Sequence, residues 1–311
     1  MTTAAPNVGS TRARSQRRLQ RNLEGWAFAS PWIIGFLLFT LGPMIGSAGL
    51  AFMKWDMLST PVFNGFKNFQ TAVSDPLVWQ SLRITTEYAV VAVPANIVLG
   101  LVLAMLLNSG IRGLRFYRTG YFLPYVLSGV AVALLWRWVF TNQFGLANLL
   151  LSYVGIQGPN WLGTDTWALP SLIIMSIWSV GGGMIIYLAG LQGIPTEFYE
   201  AAEVDGASWW QRILHITLPL VTPALFFQLV IGLIQALQLF TQPFVLTGGG
   251  PYNSTLFIVL YLYQSAFQYF QMGYASVLAW ILFFYILILT LLIFRSGSAW
   301  VHYEGQTRKG E

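Results

Sequence analysis

Long uninterrupted apolar runs dominate this chain. A helix needs about 20 mostly apolar residues to cross the roughly 30 Å hydrocarbon layer of a bilayer. Trp26 to Phe52 carries no charge, nor does Tyr88 to Leu107; Thr119 to Phe140 has Arg137 alone, and Trp167 to Leu191 is uncharged again. Between Arg212 and Arg295 there is no Lys, Arg, Asp or Glu, a stretch of 82 residues (213–294) with room for at least two more spans. The pattern predicts an all-α, polytopic membrane protein of about six transmembrane helices, near 26–52, 88–107, 119–140, 167–191, 218–245 and 273–294. Leu256 to Phe270 is apolar and aromatic but only 15 residues long. It reads as an interfacial or re-entrant piece on the outer side, since short segments survive at membrane depth only against protein or water.

Composition narrows the class. Of 311 residues, 56% are hydrophobic and 9% charged, against roughly 25% charged in a soluble domain. This excludes a disordered protein and a nucleic-acid-binding domain, and the absence of cysteine excludes a disulfide-stapled module.

Charge then sets orientation, because Lys and Arg are retained on the cytoplasmic side. Arg12, Arg14, Arg17, Arg18 and Arg21 precede the first span; Arg112, Arg115 and Arg118 follow the second; Arg212 follows the fourth; Arg295, Arg308 and Lys309 follow the last. Twelve of the 16 basic residues thus fall in alternate connections, on one and the same side of a six-span chain, which predicts two cytoplasmic termini. Counting 256–270 as a span would break that parity. The expected organisation is a disordered, Arg-rich cytoplasmic tail at 1–25, a membrane domain at 26–295 and a cytoplasmic tail at 296–311. Arg17-Arg18 is not read as an export signal, because the apolar stretch that follows is too long for a cleavable one and further spans come after it.

Catalytic chemistry finds little support. His215 and His302 stand apart without metal-ligand spacing, and no acid falls within the third to sixth spans. Coupling to a proton or sodium ion usually needs an ionisable group at membrane depth. Glu87, at the expected outer edge of the second span, and Arg137, near one end of the third, read either as snorkelling end residues or as gate residues. A phosphate-binding P-loop ends in Gly-Lys-Ser/Thr, but Lys54, Lys67 and Lys309 are followed by Trp55, Asn68 and Gly310. Gly181-Gly182-Gly183 reads as a close helix contact within a span, and Thr247 to Pro251 as an outer turn. The Asn253-Ser254-Thr255 sequon reads as a chance match.

The loop 194–219 carries the most information. Pro195-Thr196 is a helix start, with Glu197 and Glu200 suited to its positive end. Asp205-Gly206 is a stop, and Ser208 with Gln211 makes a capping box for a second short helix. Phe198, Ala201 and Ala202 share a face by their spacing, thin enough to lie deep in a groove of a soluble partner; an amphipathic surface helix is the alternative.

Glu200-Ala201-Ala202, three residues, Gly206, nine residues, then Ile216-Thr217-Leu218-Pro219 resembles the EAA motif of permease subunits in binding-protein-dependent ABC importers. Leu246 to Pro251, Ser254-Thr255, Ala266-Phe267, Gly273-Tyr274-Ala275 and Asn64 to Phe69 resemble the carbohydrate branch with the maltose-type and glycerol-phosphate-type permeases. The resemblance covers nearly the whole chain from about Trp26. It implies a type I importer fold and a bacterial or archaeal cell (inner) membrane protein that is not itself an enzyme. It also implies no cofactor in this chain, ATP-Mg residing in a partner ATPase. The implied partners are a homologous second permease, two copies of a cytoplasmic P-loop ATPase and an extracytoplasmic solute-binding protein, with a carbohydrate as cargo. Glu200, Ala201, Ala202, Asp205 and Gly206 would then form a coupling helix against the ATPase.

A sugar path needs uncharged hydrogen-bonding groups and aromatic platforms at depth. The candidates are Asn96, Trp178, Ser179, Gln228, Gln235 and Gln238, with hydrogen bonding between spans as the alternative role. The competing functions are an ion-coupled secondary carrier and an integral-membrane transferase.

Overall fold

The computed structural model describes residues 8–109 and 112–302, residues 8–21 by backbone alone. Its helices, in chain order, are α1 (Val8–Phe36), α2 (Gly42–Leu50), α3 (Lys67–Ser74), α4 (Pro76–Leu107), α5 (Leu114–Val126), α6 (Gly129–Val139), α7 (Leu146–Tyr153), α8 (Asp165–Ile177), α9 (Gly181–Gln192), α10 (Thr196–Val204), α11 (Trp209–Arg212), α12 (Leu218–Leu237), α13 (Thr241–Leu246), α14 (Ile258–Tyr263) and α15 (Met272–Trp300). A two-stranded antiparallel hairpin, β1 (Met53–Lys54) and β2 (Val62–Phe63), follows α2. Four stretches are long and apolar enough to cross a bilayer, and two bent helix pairs bring the number to six.

Local chemistry explains where these spans depart from straight rods. Two π-helical turns, Leu37–Leu41 and Ile213–Thr217, lie two residues before Pro43 and Pro219. Proline has no N–H to continue the ladder, and the extra residue absorbs the break. The third span, expected as one helix over 119–140, is instead bent by 97° between α5 and α6. Pro124 lies inside α5, and Leu127 and Ser128 adopt extended backbone before Gly129. The fourth bends by 43° between α8 and α9, just before the glycine triplet.

The helix that carries the second span begins at Pro76, ahead of the apolar run 88–107. Charge does not stop the helix: Arg83 and Glu87 lie within it and pair at 2.6 Å one turn apart. Glu87 is thus paired with Arg83 and does not stand alone. Arg137 is exposed in the last turn of α6. The segment expected as a disordered N-terminal tail is helical from Val8 onward and runs without a break into the first span. Its Arg, Gln, Ala and Leu residues are strong helix formers. The side chains of Arg12, Arg14, Arg17, Arg18 and Arg21, and the whole of 303–311 with Arg308 and Lys309, lie outside the described residues.

The core is built around α4, which packs against α8, α9 and α12. The short segment 256–270 forms α14 and a π-turn, and Leu256, Phe257, Ile258 and Leu260 are fully buried against the bundle. The Ile258 N–H donates to Thr85 Oγ1 on α4 at 3.0 Å. A six-residue helix held this way lies against protein and does not span. The first span differs: its apolar stretch is not buried at all, and it meets the rest of the chain where α2 lies against α15.

At the hairpin end, Asp75 caps α4 by accepting from the Leu77 N–H at 2.9 Å. Its other oxygen accepts from the hydroxyls of Tyr261 (2.5 Å) and Tyr274 (2.6 Å), joining α4, α14 and α15. Burial raises the Asp75 pKa, but the two hydroxyls and the N–H outweigh it and hold the carboxyl below its usual range. The stability this provides is full above about pH 4, the unfolded value, and is lost as pH falls through the lowered folded value. Asp75→Ala strands two buried hydroxyls and should cost about 3 kcal/mol. The acid-side loss in a thermal melt should shrink with it; an unchanged melting profile would contradict this role.

Candidate functional site

Two features could serve transport: a protruding helix pair and a cavity inside the bundle. The helix pair starts at Ile194, which is buried against Leu107, Leu191 and Val221 at one end of the core. Thr196–Val204 then forms α10 after Pro195, whose extended backbone precedes the first turn. At its end Gly206 has φ +75°, with the Ala207 N–H donating to Ala202 O and the Gly206 N–H to Glu203 O. These are the two bonds of a Schellman C-cap, which favours glycine at the left-handed position. The capping box is complete: the Gln211 N–H donates to Ser208 Oγ and the Ser208 N–H to Gln211 Oε1.

One tie fixes the pair to the base of α12 and a second joins its two helices. The Tyr199 and Thr217 hydroxyls share a hydrogen bond at 2.9 Å, and Arg212 reaches Glu203 at 3.5 Å. That second tie is solvent-exposed and weak. The sequence placed Phe198, Ala201 and Ala202 on one face, but Ala202 turns half-buried toward the body with Tyr199. The face left free carries Phe198, Ala201 and Asp205, with Glu200, Val204 and Gly206 beside it, all exposed. Glu200 makes no side-chain hydrogen bond among the described residues. The knuckle is thus a rigid, pre-shaped protrusion with an open, partly apolar and acidic surface.

The cavity, about 230 Å³, lies between α4, α5, α8, α9, α12 and α13. Asn96, Ser179, Gln228 and Gln235 line it, as the sequence suggested. Asn96 donates to Ala92 O (2.8 Å) and Ser176 Oγ (3.2 Å), which leaves its carbonyl oxygen unbonded. Gln228, Gln235 and Gln242 make no side-chain hydrogen bonds among the described residues.

Two candidates fall elsewhere. Trp178 packs edge-on against Trp136, with centroids 6.0 Å apart, and does not reach the cavity. Gln238 is exposed: α12 ends at Leu237, so Gln238 leaves the helical phase that would have aimed it inward. Sequence reading missed Tyr88, Tyr125, Ser176 and Gln242. Gln242 lies in α13, past the break that ends α12 at Leu237, so helical spacing from Gln228 and Gln235 does not place it, and the fold alone brings it to the wall.

The glycine triplet positions this wall. A Cβ on Gly181 would lie 2.1 Å from Tyr121 O, and one on Gly182 2.5 Å from the Tyr125 ring, so α9 and α5 meet backbone to backbone. No lining residue is charged. Such a cavity offers neutral donors and acceptors between aromatic rings.

Comparison with known proteins agrees with these features. The family described as "Binding-protein-dependent transport system inner membrane component" matches residues 96–299. The probable ABC transporter permease protein YesP of Bacillus subtilis (strain 168) is 43% identical over 304 residues, covering 96% of this chain and 98% of its own. The lactose transport system permease protein LacF of Rhizobium radiobacter is 34% identical, covering 92% and 97%. Among solved structures, a chain of a bacterial alginate ABC transporter in complex with an alginate pentasaccharide-bound periplasmic protein superposes with a TM-score of 0.80 at 27% identity. That match covers 91% of this chain and 96% of the other.

Proposed function

As a member of the binding-protein-dependent transport system inner membrane components, the family to which this chain belongs, it is the membrane permease subunit of an ABC importer, and we propose that it conducts a carbohydrate through the 230 Å³ cavity. The observation that carries the cargo assignment is the cavity lining: unbonded amides from Gln228, Gln235 and Gln242, the Asn96 carbonyl, and the rings of Tyr88 and Tyr125, without a charged group. Sugars present neutral hydroxyls and apolar ring faces, and such groups satisfy them in a low-dielectric site where a bare polar atom is costly. Relatives named for lactose and alginate transport support the same reading.

ATP hydrolysis belongs to a separate cytoplasmic subunit in this reading. Two copies of that ATPase, each binding ATP-Mg, drive this chain and a homologous second permease. The α10 knuckle seats in a groove of the ATPase through Phe198, Glu200, Ala201, Asp205 and Gly206. Ala202 supports the helix from its inner side. Closure of the ATPase on ATP moves the knuckle, and the rigid core helices change access to the cavity from one side to the other. The knuckle and both termini are cytoplasmic, as the arginine distribution supports. An extracytoplasmic solute-binding protein delivers cargo at the hairpin end. This arrangement needs neither an ion-binding group in the spans nor a catalytic cluster, so the carrier and transferase readings are set aside.

The test is sugar uptake by the complete complex carrying Gln228→Ala or Asn96→Ala. Each removes a contact worth about 1 kcal/mol, and the half-saturating sugar concentration should rise several-fold with ATP hydrolysis in the absence of sugar unchanged. Unaltered uptake in the Gln228→Ala, Gln235→Ala double variant would contradict the path.

A further inference from the structure

A second cavity, about 530 Å³, opens at the hairpin end between β1–β2, α3 and the start of α15. Lys54, Trp55, Asp56, Asn64, Lys67 and Gln271 are among its walls. Its frame is held by the backbone and by Asn68. Asn68 Nδ2 donates to both Ala51 O and Met53 O at 2.9 Å, and the Met272 N–H donates to Trp55 O at 3.0 Å. Gly273 lies so close to Met53 that a Cβ there would sit 1.9 Å from its carbonyl oxygen. A pre-shaped site of this kind loses little freedom when it is filled.

The charges point to the occupant. Asp56 Oδ1 accepts from the Leu58 N–H, the Ser59 N–H and Ser59 Oγ at 3.0, 2.8 and 2.7 Å. These donors fix it as a carboxylate inside its own turn. Asp75, one residue from the end of α3, is engaged by Tyr261, Tyr274 and Leu77. Lys54 and Lys67, in contrast, are exposed and belong to neither ion pair among the described residues. The site therefore presents two uncommitted ammonium groups around a polar, walled cavity, which suits a carboxylate on a protruding loop. A walled cavity with Asn64 and Gln271 in its lining suits a protein loop better than a flat layer of lipid headgroups.

We propose that this cavity receives an acidic loop of the extracytoplasmic solute-binding protein, gripped by Lys54 and Lys67. The assignment rests on the importer reading above, with the hairpin end outward. It also explains how docking is felt within the bundle: Tyr274 lines the cavity, and its hydroxyl bonds Asp75 at the start of α4.

The test is a titration of the solute-binding protein onto the complete complex in phosphatidylcholine nanodiscs, reading stimulated ATP hydrolysis and direct binding. In the Lys54→Glu, Lys67→Glu double variant the half-saturating concentration should rise about tenfold or more, with unstimulated hydrolysis unchanged. The difference should shrink at high salt, because exposed charge pairs are screened. The Lys54→Arg, Lys67→Arg pair should bind as the parent does. Parental affinity in the Glu variant overturns the proposal. So does a defect that appears only when phosphatidylglycerol is included, which would assign the lysines to lipid. A parent complex that the binding protein fails to stimulate would overturn the importer reading itself, a different outcome from a failure confined to the lysine variants.

Discussion

Glu200→Lys or Gly206→Asp is expected to abolish ATP-driven uptake while the chain still folds and inserts. Both positions are exposed on the α10 knuckle, and neither supports the bundle. Glu200 bonds to no other side chain among the described residues, and nothing lies within 4 Å of a Cβ built on Gly206. The penalty appears when the partner closes over them. A reversed charge in a desolvated groove costs about 2–5 kcal/mol, which is more than a tenfold loss of coupling. At Gly206 a side chain must also hold φ +75°, a strain of about 1 kcal/mol or more for an L-residue, and an aspartate adds a like charge beside Asp205. The paired readout is sugar uptake against ATP hydrolysis in the same proteoliposomes. Uptake should fall at least tenfold with hydrolysis present, and full uptake by both variants would defeat the assignment of the knuckle.

The largest effect on folding should come from Gly181→Val. The new Cβ would lie 2.1 Å from Tyr121 O and 2.9 Å from Phe122 Cα, both backbone atoms that cannot rotate aside. Spans three and four must separate, which costs about 3 kcal/mol or more as overpacking and opens the wall that carries Tyr125 and Ser179. The yield of folded protein and the melting temperature in detergent should drop sharply. Gly183→Ala is the internal control. Its Cβ meets only ordinary contacts at 3.5 Å, from Gln228 and Tyr187, and stability should stay level. Equal behaviour of the two variants would refute backbone contact as the reason for the triplet.

These residues also show which parts of the molecule could be read from sequence. Span count and the capped helix pair follow from local chemistry: apolar length, Ser208 with Gln211, and Asp205-Gly206. The π-turns before Pro43 and Pro219 and the bend after Pro124 follow from local prolines, which a reading by apolar length alone passes over. The helix runs through Arg83 and Glu87, which pair one turn apart on an exposed face, because charge marks the limit of an apolar run and not the end of a helix. In the cavity, the seven-residue spacing from Gln228 to Gln235 held. Gln238 failed because the helix ended one residue earlier, while Gln242 returned to the wall in α13. Trp178 failed because a ring of that size found a tighter partner in Trp136. The turned-in position of Ala202 could not be read from periodicity alone, since the tie from Tyr199 to Thr217 sets the roll of α10.

The account stands on a knuckle that a separate ATPase holds from the cytoplasmic side. The chain has no cysteine, so Ala201→Cys gives a single reporter on the free face of α10. Labelling it with a membrane-impermeant maleimide, in inside-out and right-side-out vesicles, with and without the ATPase, tests sidedness and seating together. The expected result is rapid labelling of inside-out vesicles only, suppressed when the ATPase is bound. Labelling of right-side-out vesicles, or labelling indifferent to the ATPase, would contradict the account.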